Sequence, residues 1–150
     1  MAKKIRDFNS TASTLHMLHR ASQIADELYA QNIGMSNITA RQHIVLSIVA
    51  NEDNPSQTDI CDRSGIDRST LADIVRRLVN RGLLARKRTR EDARMYAVRI
   101  TEAGQKALEE TARAAQNTDK AVLGALTPSQ RGDFETALKL IIERQPKRST

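Results

Sequence analysis

Leu71, Ile74, Val75 and Leu78 stand at positions i, i+3, i+4 and i+7, with Asp73, Arg76 and Arg77 between them. That spacing predicts an amphipathic helix with one buried stripe. Asp67 is placed to cap its start, where a carboxylate also complements the positive end of the helix dipole, and Gly82 is suited to end it. Upstream, Ser56 predicts the cap of a short helix that Gly65 stops. After Gly82 the period drops to two. Tyr96, Val98 and Ile100 alternate with Met95, Ala97 and Arg99, which predicts a strand buried on the Tyr96 side. Leu83 to Arg88 supply its partner and Thr89 to Arg94 a polar tip.

Either side of this segment the pattern is helical. Residues 10–33 carry Leu15, Leu18, Ile24, Leu28 and Ile33 at helical spacing, with Gly34 as the stop. Thr39 caps a second helix, apolar at Ile44, Val45, Ile48 and Val49, that ends in the polar run Asn51 to Pro55. Beyond the hairpin, Thr101 caps a long helix to about Ala125. Thr127 and Pro128 open a last one, apolar at Phe134, Leu138, Ile141 and Ile142. The fold expected is mainly α: about six helices and a small β-hairpin wing, with no internal repeat. The tail Gln145 to Thr150 is expected to fray.

Composition adds two constraints. Aromatic residues make up 3% of the 150, with no Trp, so a core must come from Leu, Ile, Val and Ala, and completion by a partner subunit is expected. Of the net charge of +6, residues 56–101 contribute +5, from 11 basic and 6 acidic side chains. Positive charge gathered in one segment is what a phosphate-binding face needs, because neutralising phosphates releases condensed counterions. The amino terminus, Met1-Ala2-Lys3-Lys4, is not followed by an apolar run of signal length, and Ile44 to Ala50 is too short to span a bilayer. A cytoplasmic protein with no membrane partner is expected. No Gly-rich phosphate loop, Cys–His pair or metal cluster appears, so neither an enzyme nor a cofactor is expected.

With the apolar stripe turned inward, Arg68, Ser69, Thr70, Asp73, Arg76, Arg77 and Asn80 remain outward. Short hydroxyls near a helix start can approach base edges, and an arginine one or two turns later can pair with guanine or hold a phosphate. Asp73 can face a cytosine amino group or a neighbouring arginine. An i, i+3 or i+4 pair with Asp73 on a solvated face is the plainer alternative for Arg76 and Arg77. Arg86, Lys87, Arg88 and Arg90 suit phosphates, and Ser56, Gln57 and Thr58 could donate to the backbone of double-stranded DNA.

The segment resembles the MarR family of winged helix–turn–helix transcriptional regulators. Leu46 and Val49, Asp67-Arg68-Ser69-Thr70, and Arg76-Arg77-Leu78-Val79-Asn80-Arg81-Gly82-Leu83-Leu84 carry the resemblance. So do Glu91-Asp92-Ala93-Arg94, matching the family's Asp-x-Arg wing tip, and Ile100-Thr101-Glu102-Ala103-Gly104 after it. The resemblance implies a homodimer on a pseudo-palindromic operator, with residues 1–35 and 102–150 forming a helical dimerisation domain and 36–101 the winged helix–turn–helix domain. It also implies that Arg94, oriented by Asp92, enters the minor groove, and that a phenolic or similar aromatic-acid effector releases a repressor from DNA. His16, His19, Arg20 and His43 are the candidates to line the effector pocket.

Two other functions compete. A winged helix can serve as a module that binds protein or RNA, and the single thiol, Cys61, could make a redox sensor. Asp59 and Asp62 flank Cys61, and negative charge raises a thiol pKa, away from reactivity. A buried structural thiol is expected. His16 and His19, three apart, share a helix face but lack further ligands for a metal.

Overall fold

The computed structural model describes residues 13–89 and 96–144. Its elements run α1 (Thr14–Asn32), α2 (Ala40–Asn51), α3 (Gln57–Ser64), α4 (Arg68–Asn80), β1 (Leu84–Arg88), β2 (Tyr96–Ile100), α5 (Glu102–Leu123) and α6 (Pro128–Glu143). The side chains of Thr39, Ser56, Asp67, Thr101 and Thr127 each accept from the backbone N–H three residues on, as N-caps do. Ser13 does the same for α1. Among the described residues, no helix is long and apolar enough to cross a membrane.

One core joins α2, α3, α4 and the hairpin. Val45, Leu46, Val49, Ile60, Leu71, Val75, Leu78, Leu84 and Val98 are buried in it. Ile33, and Ala107 and Leu108 from α5, pack on its margin. On α2 the buried stripe is Gln42, Val45, Leu46 and Val49, whereas Ile44, expected inside, is exposed. The cause lies at the helix start. Gln42 is the third residue of a capping box, its side chain turned back to accept from the Thr39 N–H at 3.1 Å. The stripe through Gln42 at i, i+3, i+4 and i+7 leaves Ile44 to one side.

Recognition of where α4 ends needs only its last turn. Gly82 takes φ +73, its N–H donates to Val79 O, and the Leu83 N–H donates to Leu78 O at 2.9 Å. This pair of bonds makes a Schellman motif. β1 and β2 are antiparallel, Leu84 opposite Ile100 and Arg88 opposite Tyr96. The strand pattern needs a correction: Tyr96 is 42% exposed while Ala97, on the supposed outer face, is buried. Ser56 bridges to Ala97, and the Val98 N–H donates to Pro55 O at 2.8 Å, so the segment before α3 covers β2 from its free edge. Tyr96 lies towards the tip, beyond the core, with the Arg88 guanidinium 5.8 Å from its ring centroid.

Thr101 fixes the exit into α5. Its hydroxyl donates to Gly82 O at 2.6 Å and accepts from the Gly104 N–H, while its own N–H donates to Leu83 O. A Cβ at Gly104 would stand 2.0 Å from Leu83 O, so the start of α5 presses directly on the chain entering the hairpin. α1 packs along α5, whereas α6 makes no extensive packing with any other element among the described residues.

Candidate DNA-binding face and a second polar site

α4 turns Leu71, Ile74, Val75 and Leu78 inward and leaves Arg68, Ser69, Arg76, Arg77 and Asn80 exposed, with Thr70 and Asp73 half-buried. Asp67 at its start accepts from the Thr70 N–H at 2.9 Å and from the Ser69 hydroxyl at 2.8 Å. These bonds, the Thr70 ones foremost, hold its carboxyl well below the usual carboxylate range. The Ser69 proton is therefore already committed, and the hydroxyl faces outward as an acceptor. Further along, Asp73 takes Arg76 on one carboxylate oxygen and Arg77 Nε, at 2.7 Å, on the other. The arginines, Arg76 first, lower its pKa.

Around α4 the basic surface continues. Arg86, Lys87 and Arg88 are exposed along β1, and Arg99 is exposed on β2. At the start of α3, the Ser56 hydroxyl and N–H both donate to Asp59, closing a capping box that lowers the Asp59 pKa. In this arrangement the Ser56 proton is engaged by Asp59. Gln57 and Thr58 lie half-buried beside it. Arg81, absent from the expected contacts, donates to Asn37 O at 3.1 Å and ties the end of α4 to the α1–α2 loop. Arg90, Asp92 and Arg94 lie outside the described residues.

The four residues expected to line a pocket do not gather. His16, His19 and Arg20 are on the exposed first half of α1, where Arg20 sits 3.9 Å from Glu27. Among the described residues, no group of three metal-ligating side chains forms around them or elsewhere. His43 instead meets two residues that sequence reasoning missed. Its Nδ1 is 2.7 Å from the Thr111 hydroxyl of α5, and its ring centroid is 6.0 Å from that of Tyr29 on α1. The Thr111 hydroxyl also lies 3.0 Å from Leu108 O. With its proton given there it accepts from His43, and the neutral imidazole in that arrangement carries Nδ1–H and leaves Nε2 as an acceptor. Burial lowers the His43 pKa, with the Asp119 carboxylate acting the other way. Burial also raises that of Tyr29, which the Thr111 hydroxyl partly offsets. The buried Tyr29 hydroxyl lies near that of Thr111 but makes no hydrogen bond of full geometry among the described residues.

Cys61 is half-buried against the core rather than enclosed by it. It follows Ile60, the residue of α3 that points straight inward, and so stands about 100° around the helix from it.

The MarR family profile matches residues 36–95. The chain is 27% identical over 123 residues to a putative transcriptional regulatory protein for the hcr operon of Thauera aromatica, covering 81% of this chain and 74% of that protein. It is similar in structure to Bordetella bronchiseptica BpsR, whose DNA binding is regulated by 6-hydroxynicotinic acid. That likeness has a TM-score of 0.85 and 27% identity, over 92% of this chain and 99% of the other. A mutant of E. coli MarR in complex with operator DNA shares the fold, at TM-score 0.77 and 23% identity, over 83% of this chain and 90% of the other.

Proposed function

We propose that the chain is a MarR-family transcriptional regulator, a cytoplasmic, homodimeric repressor that binds a pseudo-palindromic operator and leaves it when an aromatic acid binds. The observation that carries the DNA-binding part is α4. Its stripe of Leu71, Ile74, Val75 and Leu78 is buried, so its polar face, from Ser69 to Asn80, is turned to solvent beside a basic strand. A helix held this way can lie in the major groove while Arg86, Lys87 and Arg88 neutralise phosphates. Residues 36–101 form the reading domain, and residues 1–35 and 102–150 the dimerisation domain. The second copy would cover Leu15, Leu18 and Ile24 on α1 and Phe134, Ile141 and Ile142 on α6, all exposed in the single chain.

Genomic fragments selected by the protein supply the duplex for the test. Fluorescence anisotropy should give an affinity for that duplex that falls steeply with salt and exceeds the affinity for a shuffled duplex. Equal affinity for single-stranded RNA, with no duplex preference, would favour the RNA- or protein-binding alternative.

The effector site in this reading is the Tyr29–His43–Thr111 group, where His43 Nε2 can accept from a ligand hydroxyl and the Tyr29 hydroxyl can reach a ligand oxygen. Hydroxylated aromatic acids, 6-hydroxynicotinate and 4-hydroxybenzoate among them, should release the selected duplex. Tyr29→Phe and His43→Gln should bind DNA normally but respond to the acid at least about tenfold less, since each leaves a polar group of the ligand unpaired. Normal release from both variants would remove the effector from this site.

A further inference from the structure

We propose that Asp73 is a specificity-determining residue of the recognition helix, a carboxylate that holds Arg76 and Arg77 in fixed positions and rejects sequences presenting an acceptor where it stands. The inference rests on the reading of the chain as a DNA-binding regulator and names what sets its sequence preference.

The position of Asp73 is unusual for a face meant to meet a polyanion. On a helical wheel it stands about 40° from both Ser69 and Arg77, about 60° from Arg76 and about 20° from Asn80. It thus lies within the polar arc, half-buried between the two arginines. A carboxylate there faces base edges and adds nothing to phosphate binding. Each of its oxygens is engaged, one by Arg76 and the other by Arg77 Nε at 2.7 Å. Three side chains with many rotamers between them thereby share one arrangement before DNA arrives.

Two consequences follow from charge and geometry. The negative charge reduces the local field of the two arginines from +2 to about +1, which weakens binding to any sequence through the backbone. The remaining lone pairs of a carboxylate accept only from donors, and the major groove offers donors at the amino groups of cytosine and adenine. Guanine and thymine present O6 and O4 there, and an oxygen against a carboxylate is repelled. Discrimination through rejection sets partners apart even where attraction is modest. A helix-stabilising role alone would not need the engagement of both arginines. Acid preceding base at i, i+4 stabilises any exposed helix face equally well.

Wild type, Asp73→Asn and Asp73→Ala are each taken through selection from a random-sequence duplex pool. The enriched pools are sequenced, and anisotropy is read on the wild-type consensus and a shuffled duplex in a potassium chloride series. Both variants should bind the shuffled duplex more tightly, and their preference for the consensus should fall about tenfold, the scale of one base-edge contact. Their consensus should lose a cytosine or adenine at a matching position in each half-site. An unchanged consensus with an unchanged preference ratio would overturn the proposal and leave Asp73 a surface ion-pair partner. Equal loss of affinity on both duplexes would overturn it too. If the wild type enriches no sequence at all, the DNA-binding reading fails, and this proposal falls with it.

Discussion

α4 and α6 are helices of similar length written with the same helical period, and they meet opposite fates. The apolar stripe of α4 is between 0% and 8% exposed, while on α6 Phe134 is 37%, Ile141 50% and Ile142 70% exposed. Both carry an apolar stripe at helical spacing, although α6 adds Leu140 outside its own. The difference lies in what the rest of the chain supplies. α2, α3 and the hairpin close over α4, whereas α6 follows the long α5 and is held to it at the joint. There Arg131 Nε donates to Leu123 O at 3.1 Å and to Leu126 O at 3.2 Å, capping the end of α5. A stripe that one region buries by itself and another leaves open says which part folds as a unit and which part, in the proposed reading, a second copy would complete.

The sharpest way to break that comparison is to charge the open stripe. Phe134→Asp combined with Ile141→Asp puts two carboxylates on one face of α6. In sedimentation the variant should run as a monomer, and its affinity for the selected duplex should fall by about 10² to 10⁴, the gain that linking two half-site readers provides. Backbone NMR signals from residues 36–88 should persist, because their core is internal. A variant that stays dimeric would show that α6 is not covered by a second copy.

The matching insult to the closed stripe is Leu78→Ala, which should cost about 2–5 kcal/mol in urea unfolding by leaving a cavity among side chains that cannot collapse into it. Gly104→Ala attacks the join between the regions. Its new methyl would meet Leu83 O, a backbone atom with no rotamer to change, so a loss of about 1–3 kcal/mol is expected, with the hairpin signals shifting first. A neutral Gly104→Ala would mean that α5 moves freely against the hairpin.

The same contrast marks how far sequence could carry the structure. The caps at Thr39, Ser56, Asp67, Thr101 and Thr127, and the stops at Gly65 and Gly82, were legible because each is a local event decided within four residues. The burial of Ala97 was not, since it depends on Pro55 and Ser56 arriving at the free edge of β2 from 41 positions away, as the Ser56–Ala97 bridge records. The exposed face of α4 could be named residue by residue from its stripe. Its internal pairing with Asp73 was visible as an alternative because i, i+3 and i+4 are fixed by the helix. The surroundings of His43 were the least legible. His43 and Thr111 are 68 positions apart, and periodicity tells which side of a helix is inward without telling what it will face. His16, His19 and Arg20 shared a helix with Tyr29, but it was the second half of α1 that met His43.

The smallest effect expected concerns that group, which lies where the two regions meet: His43 on α2, Tyr29 on α1 and Thr111 on α5. Burial holds the His43 pKa below its ordinary 6.5, the Asp119 carboxylate opposing it, so the folded protein binds a proton there less readily than the unfolded chain does. Stability then depends on pH with a known sign. At pH above 6.5 the contribution is fully present, because the imidazole is neutral in both states. As the pH falls through 6.5 towards the lower folded value, the unfolded chain takes up a proton that the folded one refuses, and stability declines. Below the folded value the decline stops. Urea unfolding between about pH 7.5 and about pH 5 should show a shallower fall for His43→Asn than for the wild type. Repeating the series on the monomeric α6 variant sharpens the comparison. If the histidine belongs to the self-contained region, its slope survives in the monomer; if it vanishes there, the site is finished only when the second copy is in place.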